Sequence, residues 1–323
     1  MNGLYGLSAL KHLDLSFNMY GFLEETLGNL SELEYLDFES NIITGLLPSS
    51  LMKMTNLVHL NVQGNRLEGQ FPSTLTDLSS LRLLDLSLNF LSGGIPDLDI
   101  FVELEHLILH DNDFRGSIPR FLPLNLKTLS LGRNLFEGTI PTEIGLLSNL
   151  ESIAVMSNKL SSGFPTEFGQ LSSLKLLLIG DNELTGQLPS ELGQLSMLEE
   201  LFAINLYLTG TIPTELGNLT NLKRIALWSN KLEGSIPSQF GTLTNMIRLE
   251  VSKNRLTGTI PTELGNLKQI EIMKFANNML QGSIPDSVCS LVELDSFIDM
   301  EIDCTVSCSC CDKCYHDGRV VYT

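Results

Sequence analysis

Six cysteines, Cys289, Cys304, Cys308, Cys310, Cys311 and Cys314, crowd into residues 289–323, and no other residues in the chain offer chemistry so plainly. Thiols at such spacing either close disulfides or bind a soft metal. Zinc would draw on Cys308, Cys310, Cys311, Cys314 and His316. A closed zinc site, however, usually presents two well-separated pairs, and only one compact cluster exists. Disulfides are therefore expected, with no metal site and no cofactor, and they imply an oxidising compartment. Six cysteines permit about fifteen pairings; a Cys289–Cys304 bond would tie the rest of the chain to its tail.

Little else looks reactive. No Ser-His-Asp set, phosphate-cradling glycine loop or paired-carboxylate pocket stands apart from the general pattern, so an enzyme is not expected. The chain carries 20 Lys+Arg against 38 Asp+Glu, a net charge of −18, which argues against nucleic acid, whose phosphates demand a basic surface. No run of about 18 apolar residues exists to span a bilayer. Met1 to Leu7 does not read as a secretory signal, which needs a basic start and an unbroken apolar block. Leu4, Leu7 and Leu10 already carry the spacing of the units described next, so the chain is expected to open inside a longer protein.

Those units set the frame. An asparagine recurs at Asn18, Asn41, Asn65, Asn89, Asn112, Asn134, Asn158 and Asn182, then Leu206, Asn230, Asn254 and Asn278, spaced by 22 to 24 residues. A proline falls seven positions after each anchor from Asn41 onward, from Pro48 through Pro285; Pro123 alone is out of phase. Such a period means stacked supersecondary units sharing one continuous core. The L-x-L stretch before each anchor alternates as a strand does, with leucines on one face and variable residues on the other. The anchor amide has donors and an acceptor for backbone groups where the chain leaves the strand. After the proline, Thr142-Glu143, Thr166-Glu167, Ser190-Glu191, Thr214-Glu215 and Thr262-Glu263 suit a short helix start, hydroxyl as cap and carboxylate against the dipole. Much of the negative charge is thereby local structure. Two places break the pattern: Leu206 replaces an anchor unless Asn205 shifts to fill it, and Ser162 stands where a glycine belongs.

With Leu222, Ile225, Leu227, Asn230, Leu232, Gly234, Ile236 and Pro237 as one example, residues 1–288 resemble the plant receptor-type leucine-rich repeat, about twelve times over. That resemblance implies an α/β right-handed solenoid, with a curved parallel β-sheet on the concave face and short helical or 3-10 segments on the convex face. Residues 289–323 form a cysteine-rich cap or tail, and the run Cys304-x3-Cys308-x-Cys310-Cys311-x2-Cys314 is similar to the terminal cluster of diatom and algal leucine-rich-repeat proteins.

Function should lie on the variable strand residues, at positions −6, −4 and −2 from the anchor, with −1 beside them. His12, His59 and His106 fall at −6 and His110 at −2. Only His106 and His110 are close enough to share a ligand, and all read as ordinary surface histidines. In the first four units the row is polar and acidic. Further on, Ala154, Met156, Leu176, Leu178, Phe202, Ile204, Ala226 and Trp228, the only tryptophan, would form an apolar patch. Glu200, Arg224, Arg248, Glu250 and Lys253 rim it. Contiguous exposed apolar surface marks interaction sites, and tryptophan is enriched at hot spots; the competing reading is that these side chains only stabilise the sheet by cross-strand packing.

A non-catalytic module binding a protein or peptide on that face is expected, monomeric or partner-dependent. The resemblance implies a receptor-like protein, extracellular or at the cell surface, although signal peptide, amino-terminal cysteine cap, membrane helix and kinase motif do not occur in this chain. Alternatives are a secreted inhibitor of a glycosidase or protease, similar to plant polygalacturonase inhibitors, and an intracellular scaffold. Asn29-Leu30-Ser31 and Asn218-Leu219-Thr220 are glycosylation sequons, each within a stretch that the repeat generates anyway.

Overall fold

The L-x-L segment of each repeat makes a strand of three residues because its central leucine has somewhere to go. Leu36, Leu60, Leu84, Leu177, Leu201 and Leu249 are all at most 1% exposed, while the flanking residues, on the opposite side of the strand, are half-buried or, at Asp37, Asn61 and Asp85, 6 to 8% exposed. The computed structural model describes residues 6–72, 75, 77–294, 296–311, 313–316 and 319–322; Leu4 lies outside them. Contacts divide the chain into two units, residues 1–159 and 160–323. Both are built from the same repeat, and the fold is that of a leucine-rich-repeat solenoid.

In the first unit the strands His12–Asp14, Tyr35–Asp37, His59–Asn61, Leu83–Asp85, His106–Ile108, Thr128–Ser130 and Ser152–Ala154 pair in chain order as a parallel sheet. In the second, Leu176–Leu178, Glu200–Phe202, Arg224–Ala226, Arg248–Glu250, Ile272–Lys274 and Asp299–Glu301 do the same. The register puts equivalent repeat positions side by side, as in Leu178↔Phe202↔Ala226↔Glu250.

Each strand is ended by the residue just before the anchor, which adopts a left-handed conformation in repeat after repeat, for instance Asp111 at φ 55° and Ser229 at φ 61°. The turn swings the anchor amide inward. Asn112 then donates to the carbonyls of Leu86 and Leu109 at 2.9 and 3.2 Å, and its Oδ1 accepts from the Leu91 amide at 2.9 Å, strapping one repeat to the one before. Asn254 does likewise with Leu227 O, Val251 O and the Leu232 amide. At 8% exposure Asn112 is a buried polar group with its hydrogen bonds made, as buried amides require.

Leu206 interrupts this column. Its side chain is 4% exposed and has no amide to offer, and Asn205 does not take its place: Asn205 stays exposed and donates to Asp181 Oδ1 at 2.8 Å.

Beyond the anchor the chain forms a second parallel ladder that the sequence pattern did not announce. Thr44–Gly45, Arg66–Gln70, Phe90–Gly93, Asp113–Gly116 and Leu135–Gly138 pair in order in the first unit. Glu183–Gln187 pairs with Tyr207–Thr209, and Glu233–Gly234 with Arg255–Leu256, in the second.

The return segments are 3-10 helices such as Thr142–Leu146, Ser190–Gln194 and Thr214–Asn218. Here one expectation is corrected. The cap is the proline, not the hydroxyl, and no side chain caps any of these helices. Thr214 and Thr262 sit one place inside, where their hydroxyls turn to Glu215 and Glu263 at 3.3 and 3.1 Å. The proline ring holds φ near −65° for the turn, and its carbonyl accepts the amide three residues on, from Ile144, Leu192 and Leu216 at 3.1, 3.2 and 3.2 Å, without a side-chain oxygen. The glutamates do occupy the first turn, as the dipole favours.

After Pro285 the chain forms a true α-helix, Asp286–Val292, adds the strand Asp299–Glu301 to the sheet, and ends in the antiparallel pair Lys313–His316 and Arg319–Tyr322. Three disulfides close this tail: Cys289–Cys310, Cys304–Cys314 and Cys308–Cys311. Cys289 therefore ties the helix to Cys310 and not to Cys304, because Tyr315 folds back on Ile302 and Cys304 through backbone bonds of 2.8 Å and brings Cys314 to Cys304 instead.

Candidate functional site

Every outward position on the second unit's sheet is set by strand register, so its surface can be read row by row. The −6 row runs Leu176, Glu200, Arg224, Arg248; the −4 row Leu178, Phe202, Ala226, Glu250; the −2 row Gly180, Ile204, Trp228, Ser252. Leu176, Leu178, Phe202, Ile204 and Trp228 are half-buried and lie on one face. Ala226 is a correction: expected to offer contact surface, it is 3% exposed and forms the floor between taller neighbours. Ile204 can lean across its neighbour because that neighbour is Gly180; a Cβ there would meet Ile204 Cγ1 at 2.5 Å.

Ala154 and Met156 belong to the first unit. Both are half-buried on its sheet face, and Met156 lies over Gly132.

Among the described residues, four of the five rim charges of the second unit are paired, Lys253 being the exception, and Lys274 beyond them is paired as well. Arg224 Nη1 reaches Glu200 Oε1 at 2.9 Å, Arg248 Nη1 lies 4.0 Å from Glu250 Oε1, and Lys274 Nζ sits 3.1 Å from Glu301 Oε1. Glu301 and Glu250 raise the Lys274 ammonium above its ordinary value against a lowering by burial. Partly exposed pairs of this kind contribute little to stability, typically about 0 to 1 kcal/mol. Their effect is to fix the direction of charge along one side of the apolar row. The Nε atoms of Arg224 and Arg248 are buried and make no hydrogen bond.

Next to Trp228 the same face sinks into a depression of about 570 Å³, lined by Glu250, Ser252, Lys253, Lys274, Asn277, Glu301 and Tyr315. Sequence reasoning missed most of this. Ser252 and Lys274 sit at ordinary variable positions with nothing to single them out, and Tyr315 is out of period altogether. It reaches the sheet only because the tail folds back through the Asp303↔Tyr315 bridge.

The first unit's acidic row has a structural explanation. Asp14, Asp37, Asn61 and Asp85 each accept the backbone amide two residues on, at 2.9, 2.7, 3.0 and 2.9 Å. That bond closes the strand end. His12, Tyr35 and His59 stack with centroids 4.1 Å apart. Burial pushes the Tyr35 phenol up to about 12, with Asp37 adding to the shift. Burial also lowers His59 and raises Asp85 from their ordinary values. The pair expected to be able to share a ligand does not converge: His106 Nδ1 meets Thr128 Oγ1 at 3.0 Å, and His110 Nδ1 meets Asp111 Oδ2 at 2.9 Å.

Both sequon asparagines, Asn29 and Asn218, are exposed at the ends of 3-10 helices, each followed by a buried leucine and an exposed hydroxyl residue. No helix among the described residues is long and apolar enough to cross a membrane. Of the zinc ligands considered from sequence, the His316 side chain lies outside the described side chains.

Comparison with known proteins agrees with this architecture. A leucine-rich repeat region model matches residues 123–250, and a leucine rich repeat model matches 32–54, 56–78 and 245–267. No curated protein sequence matches the chain. Among solved structures, a TDR receptor is 30% identical over 94% of this chain and 58% of its own, with a TM-score of 0.78. The plant peptide hormone receptor RGFR1 in complex with RGF2 is 28% identical, covering 95% and 57%, with a TM-score of 0.66. This chain thus spans under three fifths of either receptor chain. A leucine-rich-repeat protein of Leptospira interrogans is 31% identical, covering 93% of this chain and 74% of that one, with a TM-score of 0.76. With repeat, register and asparagine column all in agreement with these matches, the chain belongs to the leucine-rich-repeat proteins.

Proposed function

We propose that the chain is a non-catalytic recognition module that grips a protein or peptide on the sheet face of its second unit. One observation carries the reading: Leu176, Leu178, Phe202, Ile204 and Trp228 stand half-buried side by side on a surface that the repeat would fill equally well with polar residues. Soluble proteins seldom leave such rows uncovered without use. Arg224 and Arg248 flank the row, and the depression at Trp228 offers a place for an anchoring side chain. A structural neighbour that is a peptide hormone receptor in complex supports the ligand class. Ala226 lies beneath the apolar row as its floor.

The same reading makes residues 1–288 the ligand-presenting array and 289–323 its cap, in the manner of the cysteine-run tails of algal repeat proteins. It places the protein outside the cell or at its surface, where three disulfides persist and Asn29 and Asn218 carry glycans. Receptor-like recognition is favoured over glycosidase or protease inhibition because Arg224 and Arg248 are matched by Glu200 and Glu250, leaving no single-sign stripe.

The test is photo-crosslinking from position 202 in the secreted protein, with position 197 on the return side as control, followed by affinity measurement on the partner recovered. Phe202→Asp should weaken binding about 100-fold or more, and Trp228→Ala about 10-fold or more. Full affinity in a folded Phe202→Asp protein would sink the assignment.

A further inference from the structure

The sulfur atoms of the tail come closer together than three separate disulfides need. Cys289, on the helix Asp286–Val292, is bonded to Cys310, and Cys308 is bonded to Cys311. Across these two bonds Cys308 Sγ lies only 3.7 Å from Cys310 Sγ, and the sulfurs of Cys289, Cys308 and Cys310 all fall within 4.8 Å of one another. Cys311 lies outside this group of three, but its bond to Cys308 leaves its sulfur one disulfide bond away from a member of it. The third disulfide, Cys304–Cys314, holds the Tyr315 strand and supplies no member of this close group.

A tetrahedral zinc ion bound by four thiolates has Zn–S distances of about 2.3 Å, which puts neighbouring sulfurs about 3.8 Å apart. Two sulfurs that are not bonded to each other already stand at that spacing, and the partner of each is a disulfide length away. Opening each disulfide to the tetrahedral edge asks for roughly 1.7 Å of sulfur movement, within reach of a change in cysteine side-chain torsion. All four cysteines are half-buried, so a dithiol reductant has access and a bound ion would be partly shielded.

We propose that Cys289, Cys308, Cys310 and Cys311 are a second-state metal site: with their two disulfides reduced, they hold one zinc ion that closes the cap in place of the disulfides. The steps balance. Each disulfide takes two electrons and two protons from one dithiol, which leaves as its own cyclic disulfide. The four thiols freed then give up four protons as their sulfurs bind Zn²⁺. The helix Asp286–Val292 stays fastened to the tail in either state, by Cys289–Cys310 when oxidised and through the metal when reduced.

The full-length protein tests this directly. It is reduced with excess dithiol, freed of reductant without air, and given zinc; a cobalt sample run in parallel reports geometry. The expected result is one metal ion per chain, release of close to four protons, and a tetrahedral thiolate cobalt spectrum. In the zinc form Cys289, Cys308, Cys310 and Cys311 should alkylate at least about tenfold more slowly than Cys304 and Cys314. The oxidised chain should take up no metal. The double variant Cys304→Ser, Cys314→Ser should keep the ion, and Cys311→Ser should lose the four-sulfur spectrum. A reduced chain that takes up no zinc, or one whose six thiols alkylate at equal rates with zinc present, would overturn the proposal, and the alkylation readout holds whether or not a variant folds.

Discussion

Ser162 holds φ 73° at the position where Gly138, Gly186 and Gly234 hold 80°, 80° and 77°. A left-handed backbone costs a residue with a Cβ about 1 to 2 kcal/mol, of which glycine's greater freedom when unfolded takes back part. Ser162→Gly should therefore stabilise by about 0.5 to 1 kcal/mol, seen as a higher urea midpoint. Asp85 makes a second prediction. Burial raises its carboxyl above the ordinary range although Ser87 donates to it, so ionised Asp85 weighs against the folded state at neutral pH. As pH falls through its raised value the group protonates and the penalty lifts. Asn61 makes the equivalent amide bond without a charge. Asp85→Asn should accordingly raise the denaturation midpoint at pH 7 and lose that advantage below pH 3.8, the ordinary aspartate value from which Asp85 is raised; an advantage equal at both pH values would refute the account. Ser162 could be picked out from its place in the period, whereas the burial of Asp85 depends on neighbours that the period does not specify.

Among elements, the repeats stack with almost no slack on the return side. A Cβ on Gly193 would meet the Glu215 carbonyl oxygen at 2.5 Å and its Cβ at 2.7 Å. Since backbone cannot yield as a flexible side chain can, Gly193→Ala should destabilise by about 2 to 3 kcal/mol in chemical denaturation. Asn112→Ala should cost about 2 to 4 kcal/mol, because Leu86 O, Leu109 O and the Leu91 amide lose their partner in a buried place. The elements themselves were largely legible. Leucines every second residue and an amide at fixed spacing have one stable arrangement when repeated. What the pattern hid was the second ladder beyond the anchor, whose residues alternate too loosely to read as strand, and the proline's role as cap, which a hydroxyl next to a glutamate disguises.

For the whole molecule, the row at Leu178 and Phe202 was legible because register follows from the repeat, so a position number is also a position on the surface. The depression beside Trp228 was not. Its far wall, Tyr315, depends on how an aperiodic tail folds back, and six cysteines alone do not choose among their pairings. Reduction of Cys304–Cys314 releases the strand bearing Tyr315. Affinity of the partner recovered by crosslinking should then fall in the reduced Cys289→Ser, Cys310→Ser protein relative to the same protein oxidised; equal affinity would remove Tyr315 from the site.

The missing amide at Leu206 bears on how the second unit behaves under load. In a stack where each turn touches only its neighbours, rupture begins at the joint with the fewest fastenings, and the turn carrying Leu206 lacks the strap that Asn230 and Asn254 give theirs. Phe202 and Ile204 project from that same turn. A partner bridging Leu178, Phe202 and Trp228 would act as an external splint across the weak joint, so amide exchange around residues 184–208 should be fast in the free protein and slow sharply when the face is occupied.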